Sequence, residues 1–201
     1  MEQDQDIHGC LEIALVDALL APTDHDDIAR TQLIGTIREK AENRAIMLSE
    51  LAIQLSHSNR RTDRQMKVGM VGVVGSVVKE LHRGGFEVAA TELDETLVDI
   101  EVDGMRVRHG KETPSMVENC DLAIVTGMTL ASNTLGSVLK ASKAGSTPLL
   151  FFAQSGVNIL RTLEFPTQAI VVSESFPHYM WPGVTDIGIR YFDASDLVDT
   201  I

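Results

Sequence analysis

Apolar and polar positions change period twice along this chain, and the changes divide it. Over Ile7–Leu20 the apolar residues Ile7, Leu11, Leu15 and Leu19 recur at helical spacing, and Pro22 closes the segment. Thr23 and Asp24 then offer an N-cap, with Asp26 and Asp27 in the following turn. From Ile28 onward Leu33, Ile34, Ile37, Ala41, Met47, Leu48, Leu51 and Leu55 predict a long helix reaching almost to Ser56. Residues 1–65 are therefore expected to be a helical segment, serviceable as a dimerisation element, with polar Ser56–Gln65 as the hinge.

Beyond Met66 the period shortens. Val68–Val71 reads as an apolar strand, Gly72–Gly75 as a turn, Ser76–Arg83 as a helix and Phe86–Thr91 as a second strand closed by Glu92. That is the opening βαβ unit of a doubly wound sheet. Asp103-Gly104, between two alternating runs, signals a hairpin. Thr113-Pro114 starts a short helix to about Asn119, and Asp121–Thr126 follows as a buried strand. Ser132-Asn133-Thr134 is placed to cap a helix running to Lys143. Thr147–Phe152, Ala169–Val172 and an edge strand at Ile187–Tyr191 complete the sheet, with a helix at Val157–Leu163 and a last helical turn expected in Asp193–Ile201. The expected fold is α/β: a Rossmann-like, doubly wound, mostly parallel sheet over residues 66–201, preceded by the helical segment.

In such a sheet the ligand crevice lies beyond the carboxyl ends of the strands. This selects Gly72–Ser76, Glu92, Thr126–Thr134, Gln154–Gly156 and Ser173–Tyr179. In the first loop Gly72 and Gly75 enclose Val73 and Val74, shorter than G-x-G-x-x-G and without its middle glycine, so side-chain bulk stands where a pyrophosphate rests. Glu92 is spaced to accept hydrogen bonds from ribose hydroxyls. A glycine turn with an acidic second-strand end also suits S-adenosylmethionine, which ranks ahead of NAD here. Ser76, Thr126, Gly127, Thr129, Ser132, Asn133, Thr134 and Ser155 supply hydroxyls, an amide and free N–H groups for an anionic or polar ligand. The loop Ser173–Gly183 offers His178 as acid, base or metal ligand, with Glu174 as its partner.

Composition narrows the classes. A net charge of −12 and the lack of basic clusters beyond Arg60, Arg61 and Arg64 argue against a nucleic-acid surface. The absence of an 18-residue apolar run argues against a membrane span. Cys10 and Cys120 lie far apart, in no metal-type spacing, which fits a reduced, cytoplasmic protein. Asp24–Asp27 with His25, and His8 with Cys10, point around a helix rather than toward one ion. No P-loop, CxxC, HExxH or Ser-His-Asp arrangement is present, so the residues name no reaction.

With KVGMVG at Lys67–Gly72, CDLAIVTGMTLASNTLGSVLKAS at Cys120–Ser142 and TPLLFF at Thr147–Phe152, the stretch Met66–Phe192 resembles the Rossmann-like "putative heavy-metal chelation" family. The resemblance implies a divalent metal, a metal chelate or another small molecule as ligand. It also implies a site in the cleft between the Rossmann-like half and an enolase-N-terminal-like segment. Two features depart from the family pattern: residues 1–65 read as helices, and Ala153-Gln154-Ser155-Gly156 replaces a glycine-proline turn. Together these readings predict a cytoplasmic small-ligand-binding homodimer. The rival expectations are an S-adenosylmethionine- or nucleotide-dependent enzyme and a non-catalytic assembly module.

Overall fold

A computed structural model of the protein describes residues 2–21, 29–57, 64–174 and 180–192. The metal-like cluster Asp24–Asp27, His178 and the tail from Asp193 lie outside them. Among the described residues eight strands form one sheet in the order β1-β10-β9-β8-β7-β2-β3-β6, from β1 (Ala29–Gly35) and β10 (Gly183–Phe192) at one side. Its parallel centre is β2 (Lys67–Val71), β3 (Glu87–Glu92), β7 (Leu122–Thr126), β8 (Leu149–Ala153) and β9 (Ala169–Glu174), with short β6 (Arg108–His109) beyond β3. All five residues of β8 are buried, as a strand covered on both faces requires. Alternate side chains feed two cores. Leu150 and Phe152 join Leu48, Leu51 and Leu55 of α2 (Ile37–His57) and Val77, Val78 and Leu81 of α3 (Gly75–Arg83). Leu149 and Phe151 face Met116 and Val117 of α4 (Thr113–Glu118), Val138 of α6 (Leu135–Gly145) and Leu160 of α7 (Val157–Arg161). Each such side chain contributes about 1.5–3 kcal/mol on leaving water.

The predicted long helix from Ile28 is corrected: its first part is a strand, β1 (Ala29–Gly35), antiparallel to β10 (Gly183–Phe192). The helix starts afresh at Ile37. Thr36 and Glu39 form a capping box, with the Thr36 N–H donating to Glu39 Oε2 at 2.8 Å and the Glu39 N–H to Thr36 Oγ1 at 3.2 Å. Leu33, Ile34 and Ile37 fit a helical period, but only Leu33 of the strand is buried. Because β1 is the edge, β10 is an interior strand and not the edge predicted for Ile187–Tyr191. The hairpin forms as expected: β4 (Glu101–Val102) pairs with β5 (Met105–Arg106), and Asp103 and Gly104 take the positive φ values of 51° and 80° that a type I′ turn needs.

The first helix, α1 (Glu2–Leu19), is present as predicted, but the body contacts a different face of it. Ile13 and Asp17 are half-buried, whereas Leu11, Leu15 and Leu19 are 62–77% exposed. Asp17 holds the helix in place. Its Oδ1 accepts the N–H of Asn158 at 2.6 Å and of Ile159 at 3.3 Å, capping α7 from outside that helix.

Candidate functional site

The strand order reverses between β2 and β7: the chain leaves β2 for β3 on one side and returns to β7 on the other. At such a switch point the two outgoing loops part and leave a crevice. A cleft of about 330 Å³ opens there, lined by Gly72, Val73 and Val74 after β2, Thr126–Met128 after β7, and Phe152, Gln154 and Ser155 at the end of β8. Glu92, Ala131 and, from α1, Cys10 and Ile13 complete its wall. A smaller cavity beside it shares Gly72, Glu92, Thr126 and Met128 and reaches Thr129, Ser132, Thr134 and Ser137.

Gly72 is required at the base. Its φ is +82°, and a Cβ built there would stand 2.3 Å from Thr126 Oγ1. That hydroxyl donates to the Val71 carbonyl at 3.0 Å and ties the ends of β2 and β7 together. Gly75 is less constrained; a Cβ there would meet only Val102 Cγ1, at 3.6 Å. Glu92 stands where spacing placed it, but with its carboxylate engaged. Oε2 accepts the Val73 N–H at 3.0 Å, and Oε1 accepts those of Leu93 and Asp94 at 2.7 and 3.3 Å. The amide that a Rossmann loop would offer a phosphate is thus held by the protein's own carboxylate, which stiffens the valine-rich turn.

The polar loop after β7 also bonds internally. Thr129 Oγ1 donates to the Thr126 carbonyl at 3.1 Å, and Ser132 Oγ lies 2.9 Å from both the Met128 carbonyl and Thr134 Oγ1. A short helix, α5 (Met128–Ala131), occupies the loop, and Thr134 stands at the N-cap of α6 without a side-chain cap bond. The capping role predicted for Ser132-Asn133-Thr134 is corrected accordingly: Asn133 instead takes the left-handed turn between the two helices, at φ 54°. Of the sequence candidates, Gly72, Glu92, Thr126, Gly127 and Ser155 share the cleft, and Thr129, Ser132 and Thr134 share the side cavity. Gly75, Ser76 and Asn133 line neither.

Glu174 does not stand ready as an acid or base. It is buried and paired with Arg44 of α2, Nη2 to Oε1 at 2.5 Å, while Gln154 Nε2 approaches Oε2 at 3.4 Å. Its proposed partner His178 lies outside the described residues. Cys10 and Ile13 of α1 and Phe152 of β8 also line the cleft, although they lie outside the loops that the sequence selects. Gln154 was legible from its place after β8. Cys10 and Ile13 were not, because only the docking of α1 brings them to the cleft. The second cysteine differs in kind: burial pushes the Cys120 thiol up to about 11.

The fit to a resident metal can be tested on these side chains. Among the described residues no group of three His, Cys, Asp or Glu converges to hold an ion. The cleft offers one thiol, one thioether and a carboxylate already bound to backbone amides. This set does not build a closed metal site. Among the described residues, too, no helix is long and apolar enough to cross a membrane.

Sheet, switch point and cleft define a Rossmann-like α/β protein. The chain belongs to the family described as "Putative heavy-metal chelation", whose profile matches residues 55–163. A family member of unknown function from Pyrococcus horikoshii is similar in structure at 13% identity and TM-score 0.48, over 77% of this chain and 69% of that one. Another, from Desulfitobacterium hafniense, is similar at 15% identity and TM-score 0.44, over 61% and 44%. MppP, solved after soaking with the product 2-ketoarginine, shares the fold at TM-score 0.54 and 12% identity, over 98% of this chain and 54% of its own. No curated protein matches the chain.

Proposed function

We propose that the protein binds a small molecule in the strand-end cleft and serves in the handling of a metal or metal cofactor, taking the metal as a chelate that brings most of its own donors. The observation that carries this reading is the lining itself. Apolar Val73, Val74 and Phe152 stand beside the hydrogen-bonding groups of Thr126, Gln154 and Ser155, and the soft sulfurs of Cys10 and Met128 line the same cleft. A partly apolar organic ligand around a soft metal matches both sets. Protection of Cys10 tests the idea. Near neutral pH iodoacetamide should label exposed Cys10 and spare Cys120, whose raised pKa keeps it protonated until well above that range. A soft-metal chelate should slow Cys10 labelling, with saturable calorimetric binding that weakens at least about tenfold in Cys10→Ser. Unchanged labelling with soft-metal chelates, S-adenosylmethionine and nucleotides alike would sink the proposal. If S-adenosylmethionine or a nucleotide alone binds, the site is of the nucleotide-dependent kind instead.

One observation favours an additional assembly role. Leu11, Leu15 and Leu19 form an outward apolar stripe on α1. In sedimentation, a wild-type dimer that becomes a monomer in Leu15→Glu would support it, whereas a monomeric wild type excludes it.

A further inference from the structure

A second cleft, of about 300 Å³, opens on the α7 side of the sheet where β1, β10 and β9 meet. Its floor includes Gly188 of β10, flanked in register by Arg30 of β1 and Ser173 of β9. Asn158 and Arg161 come down from α7, and Asp17 closes the wall from α1. In a chain with 29 acidic and 17 basic residues, cations normally find carboxylates. Here they do not: among the described residues Arg30, Arg161 and Arg190 make no ion pair. Among the described residues the buried Arg161 Nε has no hydrogen-bond partner, and the guanidinium's side-chain bond runs from Nη1 to neutral Asn158 Oδ1 at 2.9 Å. A buried guanidinium N–H left unpaired costs about 1–3 kcal/mol.

The carboxylates of the cleft have other work. Asp17 caps α7 through two backbone amides, Glu174 neutralises Arg44, and Asp186 accepts from the Gln32 amide at 2.9 Å. Burial, then the neighbouring Arg190 and Arg30, hold Arg161 below the ordinary guanidinium range against the pull of Asp17. Arg30 and Arg161 line the cleft with no carboxylate of their own among the described residues. Arg190, over the Phe192 ring and outside the lining, adds its positive charge nearby. Together they make a place for a negative charge from outside.

We infer that this cleft is an anion site, receiving the carboxylate or phosphate oxygens of a small metabolite on Arg161 and Arg30, with the Ser173 hydroxyl and Asn158 amide beside them. It is separate from the strand-end cleft, although Gln154 lines both, and it does not rest on the chelate reading. The test uses the full chain at fixed ionic strength, titrated with inorganic phosphate and with succinate as the two oxyanion probes. At least one should bind saturably at one per chain and raise Tm, where chloride does neither. Arg161→Gln should weaken that binding at least about tenfold and abolish the Tm rise. Arg30→Gln, at the exposed end of the site, should do the same and carries the test if Arg161→Gln fails to fold. Phosphate binding with phosphate-dependent stabilisation would identify a phosphorylated metabolite, and succinate binding a carboxylate. The inference is overturned if neither probe saturates at millimolar concentration, or if both variants bind as the wild type does.

Discussion

Replacing Gly72 by alanine is expected to destabilise the protein by about 2–5 kcal/mol. Two costs add. A left-handed backbone burdens alanine by roughly 1–2 kcal/mol, and φ at this residue is +82°. The new methyl would also press on Thr126, and overpacking of this kind costs about 1–3 kcal/mol. Thr126 can turn away only by surrendering the hydroxyl bond that links it to the end of β2. Urea unfolding of Gly72→Ala in wild-type and Thr126→Ala backgrounds separates the two costs. In the second background the penalty should fall to the backbone part, about 1–2 kcal/mol. Equal penalties in both would show that the close approach of these strand ends is not what demands glycine.

The second large effect concerns Arg44 and Glu174. Glu174→Ala should cost about 3–5 kcal/mol, because it strands a guanidinium whose side chain is 10% exposed, while the carboxylate it loses is fully buried. Arg44 already carries one unsatisfied atom, its Nε, among the described residues, and lies 5.6 Å from the centre of the Phe152 ring. An apolar pair should therefore suit the position. The double variant Arg44→Met with Glu174→Leu is expected to recover most of the loss. A Glu174→Ala variant that unfolds at the wild-type urea midpoint would refute the account. The pair also bears on the sites, since Glu174 lies beside Gln154, which lines both clefts.

Much of the α/β frame was legible in the residues. The strand Val68–Val71, its glycine turn and the following helix appear within a residue or two, because an apolar run, Gly72 and the spacing of Val77, Val78 and Leu81 all specify the same unit. Strand β1 was not legible by period. Leu33 and Ile34 fit the helix that follows, and the local signal against continuity was the capping box at Thr36–Glu39. For the same reason Ile187–Tyr191 reads as an edge strand: nothing in its own sequence announces a partner as distant as β1. At the site, position was readable and occupancy was not. Glu92 lies where the spacing puts it, but its engagement by three backbone amides depends on how two loops fold together. Arg30 and Arg161 are not legible as a pair, because their meeting depends on a pairing that no local pattern contains.

That pairing also orders events in time. Gln32 and Asp186 bond across the β1–β10 ladder although 154 residues separate them. Closing so long a loop has a large entropic cost that only nearly complete contacts repay. During synthesis β1 must wait until β10 has emerged, 154 residues later by the Gln32–Asp186 bond, while β2, β3 and β7 can assemble well before that. The nascent protein therefore spends its early life with β1 unpaired. A strand that exposes Ile34 and keeps little besides Leu33 buried is well suited to that wait, offering a weak template to other chains until β10 arrives.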